Sequence, residues 1–233
     1  MIIPMEKKHS REVGKLHHRY VPSLLTYLGE RMCVIFYETV LTTDNNFGFV
    51  YVENSKVLGF IFGSTDNSQL FKYPRIIFAL GIRLIKKPTV IKKIISRFQE
   101  KVPSGPEVSF IAVDLKVRRK GIANQLVLPL FEEFKRRNYT HVMNWIDADN
   151  KPSLSLSLKL GSQIIGEFKE GGKRRFILNS PVESILKGLQ KYSKIAENEK
   201  GGPKNACSYA SEAREGGREA ASQICSESFD GLR

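Results

Sequence analysis

The sequence predicts an α/β (α+β) fold, in which strands alternate with amphipathic helices around a packed core. Residues 108–113 are mostly apolar on both faces of an extended chain, which is typical of an interior strand. Apolar residues then recur at helical spacing over residues 122–134. Residues 47–64 and 163–178 each hold two apolar runs separated by turn residues, and this pattern predicts two hairpins.

The first forty residues are predicted to be helical. Residues 8–41 favour two helices broken near Pro22, and an apolar stripe over residues 24–40 marks the inner face of the second helix. His17 and His18 fall in the first helix. We expect both imidazoles on the protein surface, and the alternative is that one of them lines a ligand cleft.

The later elements follow from the same periodicities. Turn residues at 53–55 and 170–172 separate the strands of the two hairpins. The predicted elements are strands 47–52 and 56–64, strand 139–147, helix 152–160, strands 163–169 and 173–178, and a final helix from 182 to about 195.

A basic loop joins the interior strand to the helix after it. Gly121 opens that helix, and the absence of a side chain there allows a ligand to approach the backbone. The free backbone N–H groups of a helix N-terminus favour anions, and Arg118, Arg119 and Lys120 add three cationic side chains. The loop therefore predicts a site for a diphosphate, and the alternative is a solvated basic turn before an ordinary surface helix.

Two motifs carry a resemblance to a known family. Arg118-x-x-Gly-x-Ala123 resembles the coenzyme A signature of the GCN5-related N-acetyltransferase superfamily. Asn150-x-x-Ser-x-x-Leu-x-x-Lys-Leu-Gly161 resembles the second motif of the same superfamily, at the distance that the family requires. The resemblance extends from about residue 51 to residue 178.

The resemblance implies a mixed central sheet with flanking helices over residues 1–180, and acetyl transfer from acetyl-CoA to a primary amine. The amine would belong to a small molecule, an amino sugar or a peptide. Asn150 would bind the cofactor arm or cap the helix after it, and both roles can coexist. The residues assigned to acetyl-CoA are Ile111, Ala112, Val113, Arg118, Arg119, Lys120, Gly121, Ile122, Ala123 and Asn150.

Two residues form the candidate catalytic set. Glu107, at the start of the cofactor strand, would accept the amine proton, unless it is an ordinary exposed loop residue. Ser157 stands where the family usually has the tyrosine that protonates the leaving thiolate, and a serine hydroxyl is a poor acid near neutral pH. Another group or water would then supply the proton, or the chain is a catalytically silent acyl-CoA-binding module.

Residues 66–106 are longer than the short link expected at this point, and they are strongly basic. Residues 75–87 and 90–101 favour two helices separated by Pro88. This insertion would cap the acceptor cleft, contact a membrane surface peripherally, or pack on the sheet with a solvated basic face. If it caps the cleft, we expect an acceptor that carries negative charge.

The net charge of +13 is unevenly distributed along the chain. Residues 197–233 hold seven acidic and five basic residues and are predicted to be a disordered tail, so the positive charge lies on the preceding residues. Without an RNA-binding signature or an aromatic stacking pattern, this charge does not favour nucleic acid as a partner.

The cysteines and the hydropathy of the sequence predict the cellular compartment. Cys33, Cys207 and Cys225 show neither metal-ligand spacing nor a disulfide framework, so we expect no metal site and a reducing compartment. Neither a secretion signal nor an apolar run of about 18 residues is evident, and we therefore expect a cytoplasmic location. The sequence indicates nothing about the oligomeric state.

Overall fold

A mixed seven-stranded sheet runs through the part of the chain that the computed structural model describes, which is residues 1–66, 73–86, 105–170 and 172–200. The order of its strands is β1-β2-β3-β4-β5-β7-β6, and only the pairing of β4 with β5 is parallel. The strands are β1 (Ile2–Pro4), β2 (Asn46–Glu53), β3 (Lys56–Ser64), β4 (Glu107–Val113), β5 (His141–Asp147), β6 (Gln163–Glu170) and β7 (Lys173–Pro181).

Helices cover both faces of this sheet. In the described residues they are α1 (Ser10–Tyr20), α2 (Leu24–Leu28), α3 (Glu30–Val40), α4 (Pro74–Lys86), α5 (Ile122–Arg136), α6 (Lys151–Lys159) and α7 (Val182–Lys200), with 3-10 turns at Lys7–His9 and Leu115–Val117. The predicted class, an α/β (α+β) fold with a mixed central sheet and flanking helices, is confirmed.

Strand β3 shows how the two cores form. Phe60 and Phe62 project to one face and pack with α1 and α3, whereas Ile61 projects to the opposite face and packs against α5. On the first face, Gly14 of α1 lies so close to Val34 of α3 that an added Cβ would come within 2.6 Å of the valine side chain. This close packing fixes α1 and the loop after it over the sheet.

The N-terminal helices differ from the prediction in one respect. The break after α1 falls at residues 21–23, as expected near Pro22, but the second predicted helix is divided into α2 and α3 at Gly29, whose φ is 100°. A φ in this region suits glycine, because other residues place a Cβ against the backbone there. Strand β1, which pairs with β2, was not predicted.

The other predicted elements are present with small shifts at their ends. Both hairpins form as expected, and the last helix continues to Lys200, beyond the predicted end near residue 195. In the insertion, α4 confirms the helix predicted over residues 75–87. The second predicted helix, 90–101, and residues 201–233 of the predicted tail lie outside the described residues.

Residues Met1–Leu189 form one compact unit, which contains the whole sheet. The second unit, Gln190–Arg233, is described as far as Lys200, where it is helical. Across the described residues, every helix is too short or too polar to span a bilayer.

The parallel pair β4 and β5 separates soon after it begins. The two strands pair at Glu107 with Met143 and at Val108 with Asn144, and no pairing follows further along β4 among the described residues. Beyond this point β5 continues to pair with β7 as far as Asp147. One edge of β4 is therefore left open, and a fork forms in the middle of the sheet.

Candidate functional site

A cleft of about 1230 Å³ opens at the fork between β4 and β5. Residues from α1, α2, β4, β5, α5 and α6 line it, so distant parts of the sequence meet there. The predicted site residues on its wall are Glu107, Ile111, Ala112, Val113, Arg118, Arg119, Gly121, Ile122, Ala123, Asn150 and Ser157. Lys120 is exposed and is not among the residues on this wall. Contact with a cofactor stays a prediction for all of these residues.

The open edge of β4 presents main-chain groups to the cleft. The Asp114 N–H donates to Leu58 O on the β3 side, at 2.8 Å. Because successive strand residues direct their backbone groups to opposite edges, the N–H and C=O groups of Ile111 and Val113 face the cleft. The side chain of Arg118 confirms this direction for Val113, since its Nε donates to Val113 O from the cleft side at 2.9 Å.

The loop after β4 forms a concave set of N–H groups. Asp114 Oδ1 accepts from the Lys116 N–H at 2.9 Å and fixes the turn that leads into the loop. Arg119 and Gly121 both adopt the left-handed conformation, with φ of 63° and 71°. Among the described residues, no acceptor faces the backbone N–H groups of residues 119–124, and Gly121 offers no capping side chain. Such an arrangement suits an anion.

The two arginines of the loop complete a donor set for a diphosphate. Arg118 and Arg119 are exposed on the cleft wall, so their guanidinium groups can reach phosphate oxygens without first leaving a buried position. The Arg118 guanidinium carbon also lies 5.1 Å from the ring centroid of Tyr20, another residue on the wall. The donor set therefore fits the diphosphate of coenzyme A.

Glu107 lies at the base of the fork. Its side chain is buried, with 4% of its surface exposed, and Oε1 accepts a hydrogen bond of 2.6 Å from Ser109 Oγ. The alternative that Glu107 is an exposed loop residue is therefore wrong. A carboxylate held at this point can accept a proton from a group bound in the cleft.

The opposite wall of the cleft is built from β5, α6 and β7. Asn150 caps α6, since its Oδ1 accepts from the Ser153 N–H at 3.4 Å, and this agrees with its predicted capping role. Ser157, two turns into α6, lies on the cleft wall and is half-buried. Next to it, the Ser162 N–H donates to the backbone oxygen of Ser157 at 3.0 Å, and the buried Ser162 Oγ lies 2.8 Å from Ser180 Oγ.

His17 contradicts the expectation that the two histidines lie on the surface. It is fully buried, and burial, followed by the charge of the neighbouring His18, lowers its pKa to about 3. Its Nδ1 lies 2.7 Å from the Tyr37 hydroxyl oxygen, and its Nε2 lies 2.6 Å from Ser23 Oγ. Ser23 lines the cleft, so a buried polar chain ends at the cleft wall.

Sequence reasoning missed several further polar residues on the wall, among them Tyr20, Ser23, Asn144 and Arg175. No short motif marks them, because each reaches the cleft only after the sheet and helices have assembled. The burial of His17, which contacts Ser23, could have been predicted. His17 follows Val13 by four residues and so lies on the same helical face as this buried valine.

The described residues contain no cluster of three or more His, Cys, Asp or Glu side chains that could hold a metal ion. The cleft wall carries backbone amides, hydroxyls, arginines and the carboxylates of Glu107 and Asp147.

The sequence profile of the acetyltransferase (GNAT) family matches residues 15–161, which is more than half of the chain. The match includes β4, the loop after it and α6. No curated protein sequence matches the chain.

Solved structures share the fold at low sequence identity. An N-acetyltransferase from Staphylococcus aureus Mu50 superposes with a TM-score of 0.53 at 20% identity, over 78% of this chain and 98% of its own. A GNAT acetyltransferase from Streptococcus pneumoniae gives 0.51 at 15% identity, over 78% and 98%. Naa20 from Chaetomium thermophilum, solved with a bisubstrate analogue, gives 0.50 at 11% identity, over 80% and 89%.

Proposed function

The chain belongs to the acetyltransferase (GNAT) family, and we propose that it transfers an acetyl group from acetyl-CoA to a primary amine of a small molecule, an amino sugar or a peptide. The observation that supports this most is the adjacency of two sets of unpaired main-chain donors. The open edge of β4 lies beside the N–H groups of residues 119–124. One suits an extended amide-containing arm, and the other suits a diphosphate.

Acetyl-CoA supplies the activated acyl group when it is bound. Arg118, Arg119 and the N–H groups of residues 119–124 would hold its diphosphate, and Ile111 and Val113 would hydrogen-bond its pantetheine arm. The Val113 N–H would also donate to the thioester carbonyl oxygen, a contact that strengthens as negative charge develops there.

The amine must lose a proton before it can attack the thioester. Glu107 would accept that proton, directly or through a water molecule, because it is the buried carboxylate at the base of the fork. The hydrogen bond from Ser109 orients the carboxylate. A positioned general base typically contributes about 10²–10⁴-fold to the rate.

The source of the proton for the leaving thiolate separates catalysis from simple binding. Ser157 is in the position expected of the proton donor, but an alkyl hydroxyl is too weakly acidic to serve well near neutral pH. Tyr20 also contributes a hydroxyl-bearing side chain to the cleft wall, and water has access to the open cleft. The second candidate function, a catalytically silent acyl-CoA-binding module, rests on this substitution at Ser157.

Two measurements on the full chain decide between these functions. Isothermal titration calorimetry with acetyl-CoA tests the cofactor site, and release of free CoA with a panel of amines tests the transfer. Saturable binding with amine-dependent CoA release, together with a mass increase of one acetyl group on the amine, supports the acetyltransferase. Binding without release for every amine supports the silent module, and absence of binding contradicts both.

A further inference from the structure

The buried chain Tyr37–His17–Ser23 connects the first core to the wall of the cleft. Tyr37 and His17 are both fully buried, and the rings of Phe60 and Phe110 lie 6.2 and 4.5 Å from the imidazole centroid. Both ring nitrogens of His17 have hydroxyl partners, at 2.7 and 2.6 Å. Such short contacts in an apolar surrounding hold the three side chains in one arrangement.

The positions of the Tyr37 hydroxyl proton and the His17 ring proton follow from the need of every buried donor for an acceptor. If His17 Nδ1 carried the proton, it would donate to the Tyr37 oxygen, and the Tyr37 O–H would have no acceptor among the described residues. Leaving a buried O–H unpaired is costly. The favoured arrangement is therefore Tyr37 O–H donating to His17 Nδ1, with the proton of the neutral imidazole on Nε2.

This assignment determines what Ser23 can do. His17 Nε2–H then donates to Ser23 Oγ, and the Thr26 N–H donates to the same oxygen at 3.3 Å. A hydroxyl oxygen accepts two hydrogen bonds, so both acceptor positions of Ser23 Oγ are filled. Any further hydrogen bond of this side chain is therefore one that its O–H donates. Its protein partner is Thr26 Oγ1 at 3.4 Å, which is long for an O–H···O bond. Since Ser23 lines the cleft, this hydroxyl is available to a bound molecule as a donor.

The same chain is unsuited to moving protons. To pass a proton from Tyr37 toward the cleft would leave a tyrosinate in the apolar core, where burial already raises the pKa of Tyr37 well above its ordinary value. To accept a proton from the cleft would charge His17, whose pKa burial lowers to about 3. Near neutral pH the chain is therefore a fixed hydrogen-bond relay with one direction.

We propose that Ser23 is an acceptor-positioning residue, which donates a hydrogen bond to an oxygen of the amine substrate, and that His17 and Tyr37 fix the direction of this donor. The inference rests on the proposed acetyl transfer and refines its substrate class. The preferred acceptor carries a carbonyl or similar oxygen close to the reactive nitrogen, as the amide of an α-amino amide does. Plain alkylamines lack the group that Ser23 would bind.

The first test measures the imidazole directly and needs no turnover. Long-range ¹H–¹⁵N NMR on the full chain, with the His17 signals assigned through His17→Gln, reports which ring nitrogen is protonated. We expect the neutral form with the proton on Nε2 at pH 7, and a mixture of both neutral forms in Tyr37→Phe. A proton on Nδ1 in the wild-type protein overturns the assignment, and with it the donor role of Ser23.

The second test uses two amines that differ by one carboxamide, phenylalaninamide and 2-phenylethylamine. Ser23→Ala should lower kcat/KM for phenylalaninamide about tenfold, the loss of one hydrogen bond, and change that for 2-phenylethylamine by less than about twofold. Ser23→Thr should restore the preference, because it keeps the hydroxyl. Ser10→Ala is the matched control, since Ser10 is a buried serine away from the cleft.

The outcomes separate this inference from the proposed function. Equal losses on both amines, no loss on either, or a wild-type enzyme that turns over neither amine while accepting others overturns the role of Ser23 and leaves acetyl transfer standing. If no amine at all releases CoA from acetyl-CoA, the proposed function fails and the acceptor role of Ser23 fails with it. The NMR result then still reports on the hydrogen-bond network alone.

Discussion

Arg175 and Asp147 are paired across β7 and β5, and 2.7 Å separates Arg175 Nε from Asp147 Oδ1. The same guanidinium donates from Nη2 to the backbone oxygen of Pro22, at 3.1 Å. Arg175, on β7, therefore connects Asp147 of β5 to the loop between α1 and α2, which carries Ser23.

Replacement of Arg175 by alanine should loosen this loop. Arg175 and Asp147 are mostly buried, with 16% and 14% of their side chains exposed, so the lost pair should lower the free energy of unfolding by roughly 1–3 kcal/mol. We expect faster amide hydrogen exchange at residues 20–24 and a several-fold higher KM for the amine, with an unchanged Kd for acetyl-CoA. Arg174→Ala is the control, since Arg174 is exposed and pairs with Glu167. Equal exchange in the two variants would contradict the connection.

Loss of a loop arginine should weaken cofactor binding selectively. We expect Arg118→Ala to raise the Kd for acetyl-CoA about tenfold, which corresponds to one charge-assisted hydrogen bond. Calorimetry measures this Kd directly. Dephospho-CoA retains the diphosphate, so the same loss of affinity for it would show that Arg118 contacts the diphosphate. Lys116→Ala removes a nearby exposed cation that is not on the cleft wall and should leave Kd unchanged. The same Kd in wild type and Arg118→Ala is the result that the account does not allow.

Glu107→Gln should reduce kcat by about 100-fold while the Kd for acetyl-CoA stays constant, because an amide retains the shape but cannot accept the amine proton. Single-turnover rates with the best amine of the panel measure the effect on chemistry. Glu132→Gln, an exposed position on α5, controls for the loss of one negative charge. Full activity of Glu107→Gln would exclude the carboxylate as the base.

His17 should make the stability of the fold depend on pH. Its pKa in the folded protein is about 3, against an ordinary value of 6.5, and His18 is the charged neighbour that adds to the effect of burial. Between these values the unfolded chain binds a proton that the folded protein does not, so stability falls as the pH drops below 6.5. From pH 7 to pH 5 the loss from this group is about 2 kcal/mol.

Denaturant unfolding at several pH values checks this dependence. The wild type should lose about 2 kcal/mol more than His17→Gln between pH 7 and pH 5, whatever the absolute stability of the variant. Parallel pH curves for the two proteins would show that His17 does not stay neutral in the fold.

Hydrophobic periodicity predicted the elements whose conformation depends mainly on residues close to one another in the sequence. The β4 strand, the basic loop and α5 follow from runs of apolar residues and one glycine within 30 residues of chain. The proposed cofactor site is built almost entirely from this stretch, so most of its residues could be named from the sequence. The φ of 71° at Gly121 shows why that position favours glycine.

The proposed acceptor side of the cleft could not be predicted in the same way. The contact of Arg175 with Pro22 joins residues 153 positions apart, and the chain from Tyr37 to Ser23 depends on the close packing of α1 on α3. Histidine is intermediate in its tendency to be buried, so residue type alone favoured the wrong environment for His17. Its spacing of four residues from Val13 places both side chains on the same, buried face of α1 and indicated the correct environment.

Backbone amide exchange with and without acetyl-CoA tests the central claim most directly. If the loop and the open edge of β4 hold the cofactor, saturating acetyl-CoA should slow exchange at residues 119–124 and at Ile111 and Val113, and leave the outer strand β6 unchanged. Binding that leaves exchange at these amides unaltered, or slows it only elsewhere, would contradict the assignment of this cleft as the acetyl-CoA site.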